Sequence, residues 1–158
     1  SGRCSCSADR VRNYLARLSG PLVDRLDVHL VLPPVSVASL SGETRGEPSA
    51  AVRARVTSAR ALQAARHREG RVVARTNATL GPSDLDAVAS PDDAGRRLLG
   101  QAAERLGLSA RAFAKVRRLA RTIADLSGDE SVRAVHVAEA IGLRLFDRGI
   151  ASATVSAA

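Results

Sequence analysis

A mainly α-helical fold, a helical bundle preceded by a short helix and one strand, is what this sequence predicts, and three observations predict it. Apolar residues recur at spacings of three and four through most of the chain, the spacing of a buried helix face. Ser or Asp residues that start helices and glycines that end them bracket those segments. Aromatics are scarce and Met and Trp absent. The core must then be built from Leu, Val, Ile and Ala, which suits close-packed helices better than a sandwich of bulky strands. At 158 residues the chain is long enough for one good core, or for one domain plus a fragment of another.

Ser1 to Ser7 reads as a frayed beginning, after which Ser7 caps a helix over Ala8 to Leu18. Val11, Tyr14, Leu15 and Leu18 share one face of it, and Asp9 and Arg17 suit its dipole. Gly20-Pro21 signals a turn, with Pro21 preset for a first helical turn. That turn presents Leu22, Val23 and Leu26 to one side and Asp24, Arg25 and Asp27 to the other. Val28-His29-Leu30-Val31-Leu32, bounded by Pro33-Pro34, reads as a buried strand. A lone strand makes no sheet, so its partners must come from elsewhere.

Pro33 to Pro48 is loop material with Gly42 and Gly46, suited to a boundary between units. Ser49 is expected to cap a helix in which Val52, Val56, Ala59, Leu62 or Gln63, and Arg66 step round the surface. Arg53, Arg55, Arg60, Arg66 and Arg68 crowd its basic face, and Gly70 ends it. Arg71 to Pro82 is a connector, followed by a short helix over Ser83 to Ala89 after a Ser-x-x-Asp cap. Asp92-Asp93 open a helix to Leu106, with Leu98, Leu99, Ala102, Ala103 and Leu106 inward and Gly107 as its stop. Ser109 caps the next, whose apolar face is Phe113, Val116, Leu119, Ala120, Ile123 and Leu126 and whose end is Gly128. Ser131 opens the last, with Val132, Val135, Ala138, Ile141, Leu143 and Leu145 mainly buried. Nothing anchors the Ala/Ser tail after Ile150.

Composition narrows the function classes. No apolar run approaches the length of a membrane span and no charged-then-apolar leader opens the chain, so the expectation is a cytoplasmic protein without a membrane partner. The net charge of +8 comes from 24 basic residues against 16 acidic ones, and Lys115 is the sole lysine. A surplus of Arg, Ala, Gly and Val is what a GC-rich genome writes on any surface, but the same balance favours nucleic acid or nucleotide phosphate as a partner. Cys4 and Cys6 sit at poor spacing for a disulfide and supply half of a tetrahedral zinc site, or are unliganded surface thiols. His29 and His136 have no partner at metal-ligand spacing and read as packing or surface histidines. A phosphate-binding loop needs Gly-Lys-Ser/Thr, whereas the only lysine lies in Ala114-Lys115-Val116. This chain alone is therefore expected neither to bind ATP tightly nor to hydrolyse it.

Ser19-Gly20-Pro21-Leu22-Val23-Asp24-Arg25-Leu26-Asp27-Val28-His29, followed by Leu32-Pro33-Pro34-Val35, resembles the end of the AAA+ core in magnesium-chelatase-like ATPases of the ComM/YifB type. Gly42-Glu43, Ala51-Val52-Arg53-Ala54-Arg55-Val56, Asn77-Ala78-x-Leu80, Leu108-Ser109-Ala110-Arg111-Ala112-Phe113 and Ala120-Arg121-Thr122-Ile123-Ala124-Asp125-Leu126 are similar to the same family, in the same order. The resemblance implies that residues 1–34 end a nucleotide-binding core, 35–48 link, 49–150 form a helical lid and 151–158 are a disordered tail. It also implies ATP with magnesium in the full-length protein, and as partners the chain's own core and identical neighbours in a ring of six subunits. DNA is a further partner, through the branch migration in natural transformation with which the ComM side is associated. The tetrapyrrole ligand of the chelatase side fits less well, because Ser-Gly-Pro-Leu departs from the chelatase form of that motif. A further cysteine pair upstream, often present in the family, would complete a zinc knuckle with Cys4 and Cys6.

Two arginines carry the chemistry that the resemblance implies. Arg25 corresponds to the arginine finger that one subunit presents to its neighbour's nucleotide, where a permanently charged planar fork neutralises charge developing on the transferring phosphoryl group. The competing reading is a surface ion pair with Asp24 or Asp27. Arg111 corresponds to the sensor 2 arginine, expected to touch the γ-phosphate of its own subunit's ATP; a cation in the first turn of a helix is disfavoured by the dipole unless an anion is close. Arg118 and Arg121, farther along the same helix, are candidate nucleotide contacts or supports. The alternative to the whole reading is a basic helical module that binds nucleic acid or a protein partner without catalysis.

Overall fold

Local capping sets where the helices begin in the computed structural model, which describes residues 5–30, 32, 34–35, 40 and 46–144. Ser7 accepts from the Arg10 N–H to open α1 (Ala8–Leu15), and Ser19 accepts from the Leu22 N–H to open α2 (Gly20–Val23), with Pro21 in its first turn. α3 (Ser49–Arg68) differs from expectation, since Pro48 is its cap residue and Ser49 is already helical. A 3-10 turn at Asn77–Thr79 leads to α4 (Pro82–Val88). Asp92 accepts from the Gly95 N–H at 2.7 Å to open α5 (Asp93–Leu106), and Ser109 accepts from the Ala112 N–H at 3.0 Å to open α6 (Ala110–Ser127). Gly107 and Gly128 end these two helices at φ 61° and 75°, backbone that only glycine adopts without steric cost.

The last helix, α7 (Ala134–Gly142), starts later than Ser131. Arg133 is its cap residue, and His136 Nδ1 accepts from the Arg133 N–H at 3.0 Å. That delay rotates the buried face. His136, Val137, Ala140 and Ile141 point inward, while Val135 is 58% exposed and Ala138 is exposed as well. Val132 is buried but precedes the helix, in a parallel bridge to Pro91. Leu145 lies outside the described residues.

α6 is the hub, packing against α7, α3, the 3-10 turn and α4, while α5 packs on α7. Leu99 and Ala102 of α5, Val116, Ala120, Ile123 and Ala124 of α6, and Val137, Ala140 and Ile141 of α7 form the main core. A second cluster of Val72, Leu80, Leu85, Val88 and Ala89 packs under the connector and α4. Side chains this small bring the helix axes close, so the interior holds by fit rather than by aromatic bulk.

The expected strand does not form. Among the described residues of Val28 to Leu32 only His29 pairs, in a single parallel bridge to Arg144 with its N–H on the Leu143 carbonyl at 2.7 Å. Val28, Leu30 and Leu32 are exposed, and Val31 lies outside the described residues. An apolar, β-branched run is built for neighbouring strands on its edges, and the described residues contain none to supply them. α1 is likewise shorter than its periodicity suggested and buries no residue. The 35–48 linker is described only at residues 35, 40 and 46–48, and the 151–158 tail not at all.

Candidate functional site

The α2 turn lies against the start of α6. Ser109, the α6 cap, donates its hydroxyl to Asp24 Oδ1 at 3.0 Å. One turn into that helix Lys115 donates to the Arg25 carbonyl and pairs with Asp27 Oδ1 at 3.0 Å. From the end of α7, the buried Arg144 donates to the Leu26 carbonyl at 2.9 Å. Both carboxylates beside Arg25 are thus engaged by α6. Its guanidinium is exposed and bonds only its own helix, through the Pro21 carbonyl at 3.2 Å. The ion pair with Asp24 or Asp27 that competed with a functional reading is not made.

Arg111 occupies the first turn of α6, exposed and with no ion pair or hydrogen bond among the described residues. The dipole disfavours a cation there, and the carboxylate at that helix end, Asp24, bonds the Ser109 cap and makes no ion pair with Arg111. Arg118 and Arg121 are placed differently. Arg118 donates through Nε and Nη2 to the Leu80 carbonyl at 3.0 and 2.7 Å. Arg121 is 1% exposed, with donors on Asp125 Oδ1 at 3.1 Å, the Glu130 carbonyl at 2.7 Å and the Asp129 carbonyl. Burial pushes the Arg121 guanidinium down from its ordinary range, Asp125 opposes that shift, and the nearby Arg66 charge adds to it. Both side chains brace the fold and have their donors turned inward, unlike Arg25 and Arg111.

Arg121 belongs to a buried polar group that the sequence pattern did not announce. Asp125, 2% exposed, accepts from Arg66 Nη1 at 2.7 Å and from Arg66 Nη2, from Asn77 Nδ2 at 2.7 Å and from Arg121. Asn77 in turn donates to Thr122 and to Gln63. Arg66, expected on the basic face of α3, is therefore a core residue. One local signal was available: Arg121 and Asp125 stand at i and i+4 on an otherwise apolar face, the spacing of a helical ion pair.

Asp84 fastens the connector. Its carboxylate accepts from the Val73, Ala74 and Gly81 backbone N–H groups, which hold its pKa below the ordinary carboxylate value, the Val73 bond foremost. A carboxyl depressed in the folded state contributes stability that is present above its unfolded pKa of about 4 and lost as pH falls through the folded value. Asp84→Ala is accordingly expected to lower the urea midpoint at neutral pH, with the gap to the parent chain narrowing as the pH is taken below the ordinary carboxylate range. Midpoints measured at neutral pH and below that range check this.

On α3, Arg53, Arg60 and Arg68 are exposed, while Arg55 pairs with Glu47. His136, 3% exposed, lies 3.0 Å from Asp129. Cys6 is exposed ahead of α1 and Cys4 lies outside the described residues. Among the described residues no group of His, Cys, Asp and Glu is arranged to hold a metal ion, and no helix is long and apolar enough to cross a membrane.

Two family models match the chain. Residues 46–144 match the magnesium chelatase subunit ChlI C-terminal domain, and residues 1–40 match the magnesium chelatase subunit ChlI model that precedes it. The chain belongs to the magnesium chelatase ChlI family. The bundle is accordingly the helical C-terminal domain of a magnesium chelatase-like protein, of the ComM/YifB type. The chain is 36% identical to the competence protein ComM of Haemophilus influenzae over 143 residues, 37% to YifB of Salmonella typhimurium over 147, and 34% to YifB of Escherichia coli over 145. Each alignment covers 90% of this chain and 27% of the relative.

Proposed function

We propose that this chain is the lid and finger-bearing portion of a ring-forming AAA+ ATPase, with the nucleotide held by a core that lies outside it. The observation that carries the reading is the contrast among the arginines. Arg25 and Arg111 hold exposed guanidiniums without a carboxylate partner, while Arg118 and Arg121 are consumed internally. An unneutralised cation at each position is what an incoming phosphate requires. ATP and its magnesium would be contributed by the core, and this chain's part in the chemistry is cationic.

The Ser109–Asp24 bond supports a reading of the side from which Arg111 acts. The start of α6 and the Arg25 turn are tied together, so both arginines approach from one end of the subunit. In this reading they meet the same phosphates, those of the neighbouring subunit, in place of the cis contact that the sequence suggested for Arg111. The work that the ring does is DNA processing, in line with the name of the competence protein and with the exposed Arg53, Arg60 and Arg68 on α3.

The test is made on the full-length protein. Arg111→Ala is expected to weaken ATP affinity and turnover together, each by roughly tenfold to a hundredfold, the worth of a charged hydrogen bond. Mixing that variant with subunits disabled in the phosphate-binding loop is expected to restore hydrolysis, because each defective part is then complemented across a boundary. No restoration would return Arg111 to its own subunit's nucleotide, and unchanged affinity would remove it from the site.

A further inference from the structure

We infer that Lys115 is a positioning residue for Arg25, a proposal that rests on the finger reading above. It is the sole lysine among the 24 Lys and Arg residues of the chain, the other 23 being arginine. Its ammonium reaches two groups that flank the finger: the Arg25 carbonyl, and Asp27 Oδ1 at 3.0 Å. Only 10% of the Lys115 side chain is exposed, whereas Asp27 is 74% exposed, so the lysine is the fixed end and the turn is what it holds. A compact ammonium on a flexible stem can serve a carbonyl and a carboxylate at once, whereas a guanidinium is a planar fork better matched to one of them.

The geometry separates docking from aiming. Docking of the 20–29 segment also depends on the His29 N–H to the Leu143 carbonyl, Arg144 to the Leu26 carbonyl and Ser109 to Asp24. These stay in place when the ammonium is removed. Lys115 alone bonds the Arg25 backbone from α6, and so fixes the direction from which the Arg25 side chain leaves the turn. Displacement of a catalytic group by about an ångström costs roughly a hundredfold in rate. A lysine that never meets nucleotide thereby sets how well its subunit's finger reaches the neighbour.

Lys115→Met keeps the aliphatic stem and removes the charge. In the full-length enzyme it is expected to lower kcat between roughly tenfold and a hundredfold with KM for ATP unchanged. Lys115→Arg should keep part of the rate. Asp27→Asn, a change at an exposed position, should shift kcat in the same direction by less and guards against a folding defect in the lysine variants. Mixed rings of Lys115→Met subunits with subunits disabled in the phosphate-binding loop should regain hydrolysis, since the defect lies in what a subunit offers its neighbour. An unchanged kcat, a rise in KM matching the loss of kcat, or no regain on mixing each overturns the role of Lys115. If Arg25→Ala abolishes turnover while Lys115→Met does not alter it, only this inference falls; if Arg25→Ala itself retains turnover, the finger reading falls and takes this one with it.

Discussion

Replacing Arg25 with alanine in the full-length ring is expected to lower ATP turnover by roughly a thousandfold or more while leaving ATP binding in place. The size of the effect follows from what the side chain does in the proposed role. Charge spreads over the oxygens of a transferring phosphoryl group only as the bond to the leaving oxygen breaks, so a cation brought to it acts on the transition state and hardly on the bound substrate. The Arg25 guanidinium meets no carboxylate, because α6 engages Asp24 through Ser109 and Asp27 through Lys115. Its full charge is therefore available. The substitution should also be structurally mild, since the bond lost is the one to the Pro21 carbonyl and the turn keeps its ties to α6 and α7. Arg25→Lys should recover little, as an ammonium is a point charge without the planar fork. Steady-state hydrolysis alongside equilibrium binding of an ATP analogue measures both halves; turnover near the parent value would remove the finger assignment.

The second large effect is on stability. Asp125→Ala is expected to cost about 3–5 kcal/mol, read as a lowered urea midpoint of the chain. Among the described residues Asp125 is the only carboxylate between Arg66 and Arg121, and it also accepts from Asn77. Its removal leaves the Arg66 and Arg121 guanidiniums without their shared carboxylate in the space between α3 and α6. Arg121 keeps its carbonyl partners at Glu130 and Asp129, but Arg66 is left with the Asn77 side-chain oxygen. Replacing Asp125, Arg66 and Arg121 together by apolar residues of similar volume is expected to cost less than the single change, because what destabilises is an uncompensated buried charge. A loss for Asp125→Ala within about 1 kcal/mol would show that water enters this site and that the group is not sealed.

The parts of the fold legible in the sequence are those fixed within a few residues. Ser7, Ser109, Gly107 and Gly128 were readable as helix ends because a cap bond or a left-handed turn is decided locally. Ser49 and Ser131 misled for the same reason: a serine near a helix start does not show which backbone N–H it will reach, and Pro48 and Arg133 hold those positions instead. An error of two residues at Ser131 was enough to place Val135 and Ala138 inside, where Val137 and Ala140 lie. Contacts between distant positions were not legible at all. The Arg66–Asp125 pair spans 59 positions and the Asn77–Asp125 bond 48, so no spacing rule reaches them. The candidate site divides along the same line. Arg25 and Arg111 stood out from motif context, but the clamp by Lys115 and Ser109 required knowing that α6 returns to the turn that carries Arg25.

The Arg144–Leu26 bond joins positions 118 apart, and with the His29 bridge it ties the far end of the bundle to the segment ahead of it. Closing so long a span carries an entropy cost that the helices must offset first. That clasp is accordingly expected to open before the helices unpack. The turn with Arg25 can swing away while α5, α6 and α7 remain packed, a hinge whose stiffness is tuned by a handful of hydrogen bonds and not by the stability of the bundle.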